Sequence, residues 1–115
     1  MSTAKFNQWL NSDGTENYKC RAWVNFNGTG TVAIRASGNV SSITDNGTGD
    51  YTVNFTTAMP DANYSLAGSG CRSDRLQPEI VGPISTLSAA SARIALKNDG
   101  GVFVDGPEMS IQIFR

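Results

Sequence analysis

The sequence predicts an all-β fold, an antiparallel, jelly-roll-like β-sandwich of about eight strands with a short N-terminal extension. Three observations predict it. Apolar and polar residues alternate in short runs, the period of a half-buried strand. Clusters of Gly, Asn and Asp separate those runs at intervals of roughly eight to twelve residues. The composition favours tight turns: hydrophobic residues make up 39% and charged residues 17%, both low for a globular chain, while Gly occurs 12 times. Gly and Asn tolerate the positive φ that hairpin turns demand. The 115 residues make one domain, long enough to bury a core without disulfide or metal staples.

Residues 1–17 form a polar lead-in with a turn cluster at Asn11-Ser12-Asp13-Gly14-Thr15 and some apolar character from Phe6, Trp9 and Leu10. The sandwich occupies 18–115. From Tyr18 to Phe26, Tyr18, Cys20, Ala22, Val24 and Phe26 alternate with Lys19, Arg21, Trp23 and Asn25. A turn at Asn27-Gly28-Thr29-Gly30 leads into a strand over 31–36 with Val32, Ile34 and Ala36 on one face. Ser37-Gly38-Asn39 breaks it, and 40–44 is a short strand. Asp45-Asn46-Gly47-Thr48-Gly49-Asp50 is the strongest hairpin signal, with Asn-Gly as the turn. Tyr51, Val53 and Phe55 then alternate with Thr52, Asn54 and Thr56. Pro60 ends that run, because it has no N–H to give a ladder. Strands follow over 63–68 and 80–88, the latter interrupted by Gly82 and Pro83, with an exposed polar loop over 69–78 between them. Ser91 to Lys97 places Ala92, Ile94 and Leu96 opposite Arg93 and Ala95. The small residues of 88–92 would suit a helix, but flanking β turns favour strand. Asn98-Asp99-Gly100-Gly101 turns the chain, 102–104 is a short strand, and Met109, Ile111 and Ile113 form the last apolar face. The expected core is Val24, Phe26, Ile34, Ile43, Tyr51, Val53, Phe55, Leu66, Ile94, Leu96, Ile111 and Ile113.

Composition removes whole classes of function. The net charge is −1, with 9 basic and 10 acidic residues, so there is no basic stripe for nucleic acid. No apolar run reaches transmembrane length, and the N-terminus lacks the apolar stretch of a secretory signal. These features point to a chain made in a cytoplasm, without membrane insertion. Cys20 and Cys71 make a disulfide possible in principle, but cytoplasmic synthesis favours two separate buried thiols. The chain has no His, which excludes Ser-His-Asp and Cys-His systems and the commonest metal ligand. Residues 45–50 lack the spacing and terminal acid of a calcium loop. Asn-x-Ser/Thr triplets at Asn27, Asn39, Asn46, Asn54 and Asn63 follow from an Asn- and Thr-rich β composition. The expectation is a non-enzymatic protein with no metal and no cofactor. Trp23 stands out on the polar face of its strand. It calls for cover, from the second sheet, another subunit or a sugar ring.

Three segments carry a resemblance. Cys20 to Arg35 (CRAWVNFNGTGTVAIR), 39–55 (NVSSITDNGTGDYTVNF) and Met59 to Tyr64 (MPDANY) together resemble a module of bacteriophage tail-fibre proteins. The ending Ile113-Phe114-Arg115 is similar to the way such fibres terminate. The resemblance implies a virion structural protein, a homotrimer at or near the host-contacting end of a tail fibre, in contact with other phage tail or capsid proteins. Family members carry long fibrous regions before the module, whereas about 17 residues precede it here. That implies a short fibre, a tip or a knob, with Phe6, Trp9 and Leu10 as an attachment peptide. In this setting Phe6, Trp9, Leu10 and Trp23 are expected at subunit interfaces. The loop residues Arg72, Asp74, Arg75, Asn98 and Asp99 are expected to meet the receptor, because Arg can fork onto the phosphates or carboxylates of a host surface polysaccharide. The main alternative is a capsid decoration, knob or tail collar protein with a purely architectural role. A depolymerase would need a pair of acids across a groove.

Overall fold

A computed structural model of the chain describes residues 8–71, 79–85 and 87–115. The strands are β1 (Cys20–Asn27), β2 (Ala33–Gly38), β3 (Val40–Gly47), β4 (Asp50–Phe55), β5 (Ser65–Cys71), β6 (Glu79–Pro83), β7 (Ser91–Asn98) and β8 (Glu108–Phe114). They form two antiparallel four-stranded sheets, ordered β2-β1-β8-β5 and β3-β4-β7-β6. The expected all-β sandwich is therefore the fold. The first and last strands pair at the centre of one sheet, with Trp23 opposite Gln112 and Val24 opposite Ile111.

Alternation explains the core. The even-numbered residues of β1 from Ala22 onward, the odd-numbered ones of β4 and β8, and Ala92, Ile94 and Leu96 of β7 all point between the sheets. Ala22, Val24, Phe26, Tyr51, Val53, Ile94, Leu96, Met109, Ile111 and Ile113 are all at most 1% exposed. The Phe26 and Tyr51 rings meet edge-to-face across the two sheets, with centroids 5.2 Å apart. Val40, Met59 and Tyr64 also join the core.

Several expectations are corrected at the edges. Ile34 is 36% exposed, because β2 is an edge strand exposed along nearly its whole length. Ile43 and Leu66, also on edge strands, are only partly buried. The 102–104 segment is no strand but a single bridge between Phe103 and Lys97. The β3–β4 turn lies at Thr48-Gly49 rather than Asn46-Gly47, with Gly47 paired to Asp50 and a register shift beside Asn46. Packing moves the turn: a β-carbon on Gly49, at φ 65°, would stand 2.6 Å from the Val104 carbonyl oxygen and 2.7 Å from that of Leu96. Only glycine allows that approach.

The two thiols are indeed separate, but Cys20 is exposed and Cys71 half-buried rather than both buried. Cys20 pairs with Phe114 and Cys71 with Glu108. Phe114 and Glu108 stand six positions apart along β8, about 20 Å, beyond the span of a disulfide.

Candidate functional site

A cleft of about 550 Å³ opens at one end of the sandwich. Its outer wall is built by residues 9–19. Leu10 and Glu16 bridge, and Asn17 N–H donates to the Trp9 carbonyl at 2.6 Å, so the lead-in is a small hairpin. The Asp13 carboxylate holds the turn, accepting from the Thr15 N–H at 2.9 Å and its hydroxyl at 2.6 Å. Those bonds keep the Asp13 carboxyl below its usual range. The Lys19 ammonium lies 5.3 Å from the centre of the Trp9 ring, a cation–π contact that fixes the wall.

The floor is a corner of the sandwich. Asn39 carries the chain from β2 to β3 at φ 57°, a conformation that Asn tolerates better than most residues. Its amide nitrogen donates to the carbonyls of Arg21 (3.2 Å) and Thr57 (3.0 Å), and its amide oxygen accepts the Thr57 N–H at 2.7 Å. One side chain thus ties β1, the sheet crossing and the segment after β4. Cys20, Arg21, Met59, Phe114 and Arg115 complete the lining. Terminal pairing brings these residues together, because Cys20 faces Phe114.

The charges in the cleft are in different states. Arg115 forks onto Asp61 at 2.9 and 2.8 Å, and its hydrogen bonds hold the Asp61 carboxyl down at about 2. The Arg21 guanidinium has no carboxylate partner among the described residues. Tyr18 is 77% exposed and Phe114 41%, so two aromatic surfaces face solvent beside an unpaired cation.

Of the residues expected at subunit interfaces, Trp9 lines this cleft, and both Trp9 and Leu10 are half exposed. Phe6 lies outside the described residues. Trp23 projects from the outer face of the β2-β1-β8-β5 sheet and is 43% exposed, so the second sheet does not cover it. Of the expected receptor residues, Arg72, Asp74 and Arg75 lie outside the described residues. Asn98 is committed to its own turn: its amide oxygen accepts the N–H groups of Gly100 and Val102, both at 3.0 Å. Asp99 is exposed beside it, at the end of the sheet opposite Cys20 and Phe114. Sequence reasoning passed over Arg21, Tyr18 and Arg115. Their only signal is that aromatic and basic residues cluster at both ends of the sandwich sequence, which matters once the terminal strands pair.

No protein-family model, no curated protein and no solved structure matches the chain.

Proposed function

We propose that this domain is a structural component of a phage particle, a tail-fibre or tail-tip module that contributes to host-cell attachment. The observation that carries the reading is the resemblance of residues 20–35, 39–55 and 59–64 to tail-fibre proteins, mapped onto the fold. Those segments supply β1, β3, β4, part of β2 and the Asn39 corner. They therefore supply a rigid platform and one flank of an exposed cleft, an arrangement suited to presenting recognition groups. Homotrimeric assembly fits the exposed outer face, where Trp23 and the edge strand β2 remain uncovered. A trimer would present three weak sites at once and gain avidity without new contacts.

An architectural role in decoration or collar structures is the second reading. It is favoured by Trp9 and Leu10, each half exposed on a projecting hairpin that would suit docking on another particle protein. Light scattering separates the two. A stable mass of three times the 12.2 kDa protomer supports the fibre reading. A monomer that binds no bacterial cells supports the architectural one and removes the attachment role.

A further inference from the structure

We infer that the cleft between the N-terminal hairpin and the Asn39 corner binds an acidic saccharide, with Arg21 holding the sugar carboxylate. The inference rests on the attachment reading for its biological setting, and on the cleft alone for its chemistry. Its volume of about 550 Å³ is that of a small-molecule site and accommodates one or two sugar rings.

The lining has the mixed character that a sugar needs. A pyranose presents apolar C–H faces and polar hydroxyl edges. Tyr18 and Phe114 offer exposed aromatic surfaces for the first. Glu16 and Asn17 offer acceptors and a donor for the second. Arg21 is the discriminating group. Arg115 is already forked onto Asp61, and Lys19 sits over Trp9, whereas the Arg21 guanidinium is exposed with no carboxylate partner among the described residues. A guanidinium presents a planar fork of N–H donors that matches a carboxylate in two parallel bonds.

The same lining disfavours an acidic peptide. Glu16 stands in the wall, and a chain of closely spaced carboxylates would meet it with like charge. A uronic-acid sugar brings one carboxylate for Arg21 and hydroxyls for Glu16. The floor is preset, because all three hydrogen bonds of the Asn39 amide are made within the protein and need no rearrangement on binding.

The test is calorimetric titration of the full chain with an aldotriouronic acid, an oligouronate of one uronic acid and two neutral sugars, beside neutral maltotriose and poly-glutamate. The expected result is saturable binding of the oligouronate, weakened at least about tenfold by Arg21→Gln and by Tyr18→Ala. Both residues are exposed, so both variants should fold, and circular dichroism checks this. Trp23→Ala, away from the cleft, should bind like the parent. No heat with the oligouronate up to about 10 mM overturns the inference, as does equal binding by Arg21→Gln or by poly-glutamate. Adhesion of the labelled protein to a panel of bacteria runs in parallel. Adhesion without oligouronate binding refutes the saccharide site and leaves attachment standing. Oligouronate binding without adhesion refutes attachment and leaves the site standing.

Discussion

The indole of Trp23 occupies the space where a side chain on Gly38 would stand. The two residues face each other across β1 and β2, and a β-carbon on Gly38 would meet the indole Nε1 and lie 2.9 Å from Cδ1. An aromatic that covers a glycine on the neighbouring strand restores the apolar contact the glycine lacks. Half of the answer to what covers Trp23 is therefore its own sheet. Gly38→Ala should displace the ring, seen as a red-shifted Trp emission in a Trp9→Phe background. Trp23→Ala should cost about 1 kcal/mol in urea unfolding, since an exposed edge pair gives less than a core aromatic. Unchanged emission in the Gly38 variant would mean the indole does not rest there.

Tyr51 is the buried polar anchor of the sandwich. Its hydroxyl lies 2.7 Å from the Gly28 carbonyl, to which it donates, and 3.0 Å from Asp105 Oδ1, which also accepts the Gly49 N–H at 2.8 Å. Tyr51→Phe leaves the ring in place and strands these acceptors, so it should cost about 1–2 kcal/mol. Burial, with Asp105 adding its charge, pushes the Tyr51 phenol far above its usual 10.0. A raised pKa in the folded state gives stability that is complete below pH 10 and fades as pH rises beyond it. Urea midpoints measured between pH 9 and 11 should fall in the parent. They should fall less steeply in Tyr51→Phe.

Acid should act through Asp50. Its carboxylate forks onto Arg93 at 2.9 and 2.6 Å and takes a weaker bond from the Asn46 amide at 3.4 Å. The Arg93 hydrogen bonds hold the Asp50 carboxyl below its usual 3.8. A depressed pKa gives stability that is present above the unfolded value and lost as pH falls through the folded one. Asp61, held at about 2 by Arg115, has the same sign. The melting temperature should therefore drop as pH falls from about 4 towards 2. Arg93 is 47% exposed, so solvent screening keeps the contribution of the pair small. Asp50→Asn should lower the melting temperature at pH 7 and flatten its acid slope. An unchanged acid slope would place the loss elsewhere.

Alternation made the strands legible, because each inward face is read directly from every second residue. Val24, Phe26, Val53, Ile94 and Ile111 needed nothing more. Ile34 looked identical by pattern, and only the strand order reveals that β2 is an edge with little above it. The β3–β4 turn escaped for a related reason. Asn-Gly is the stronger local signal, but Gly49 alone fits against the Val104 and Leu96 backbone, a contact between distant segments. The cleft was not legible at all. Arg21 and Phe114 are far apart in sequence, and a pairing register that no local pattern encodes joins them. Trp9 was singled out for its apolar character, although its neighbours in space are Lys19 and the cleft.

Asn39 joins the stability of the corner to the shape of the cleft, and two substitutions separate those roles. Asn39→Gly keeps a residue comfortable at φ 57° but removes the amide that bonds to Arg21 and Thr57. Asn39→Ala removes the amide and adds the strain of a β-carbon in the left-handed region. The glycine variant should lose about 1–2 kcal/mol from its missing hydrogen bonds. The alanine variant should lose about 1 kcal/mol more from its backbone. Urea unfolding measures both. If the amide also sets the floor, hydrogen exchange should rise in both variants at the Thr57 N–H, which bonds to Asn39 Oδ1, and at neighbouring amides of 56–59. It should stay at the parent rate around Tyr51, which is anchored through Gly28 and Asp105 instead. Equal stability of the glycine and alanine variants would mean the corner relaxes out of its left-handed conformation. A parent-like exchange rate at Thr57 would mean the floor is held by the sheets and not by this side chain.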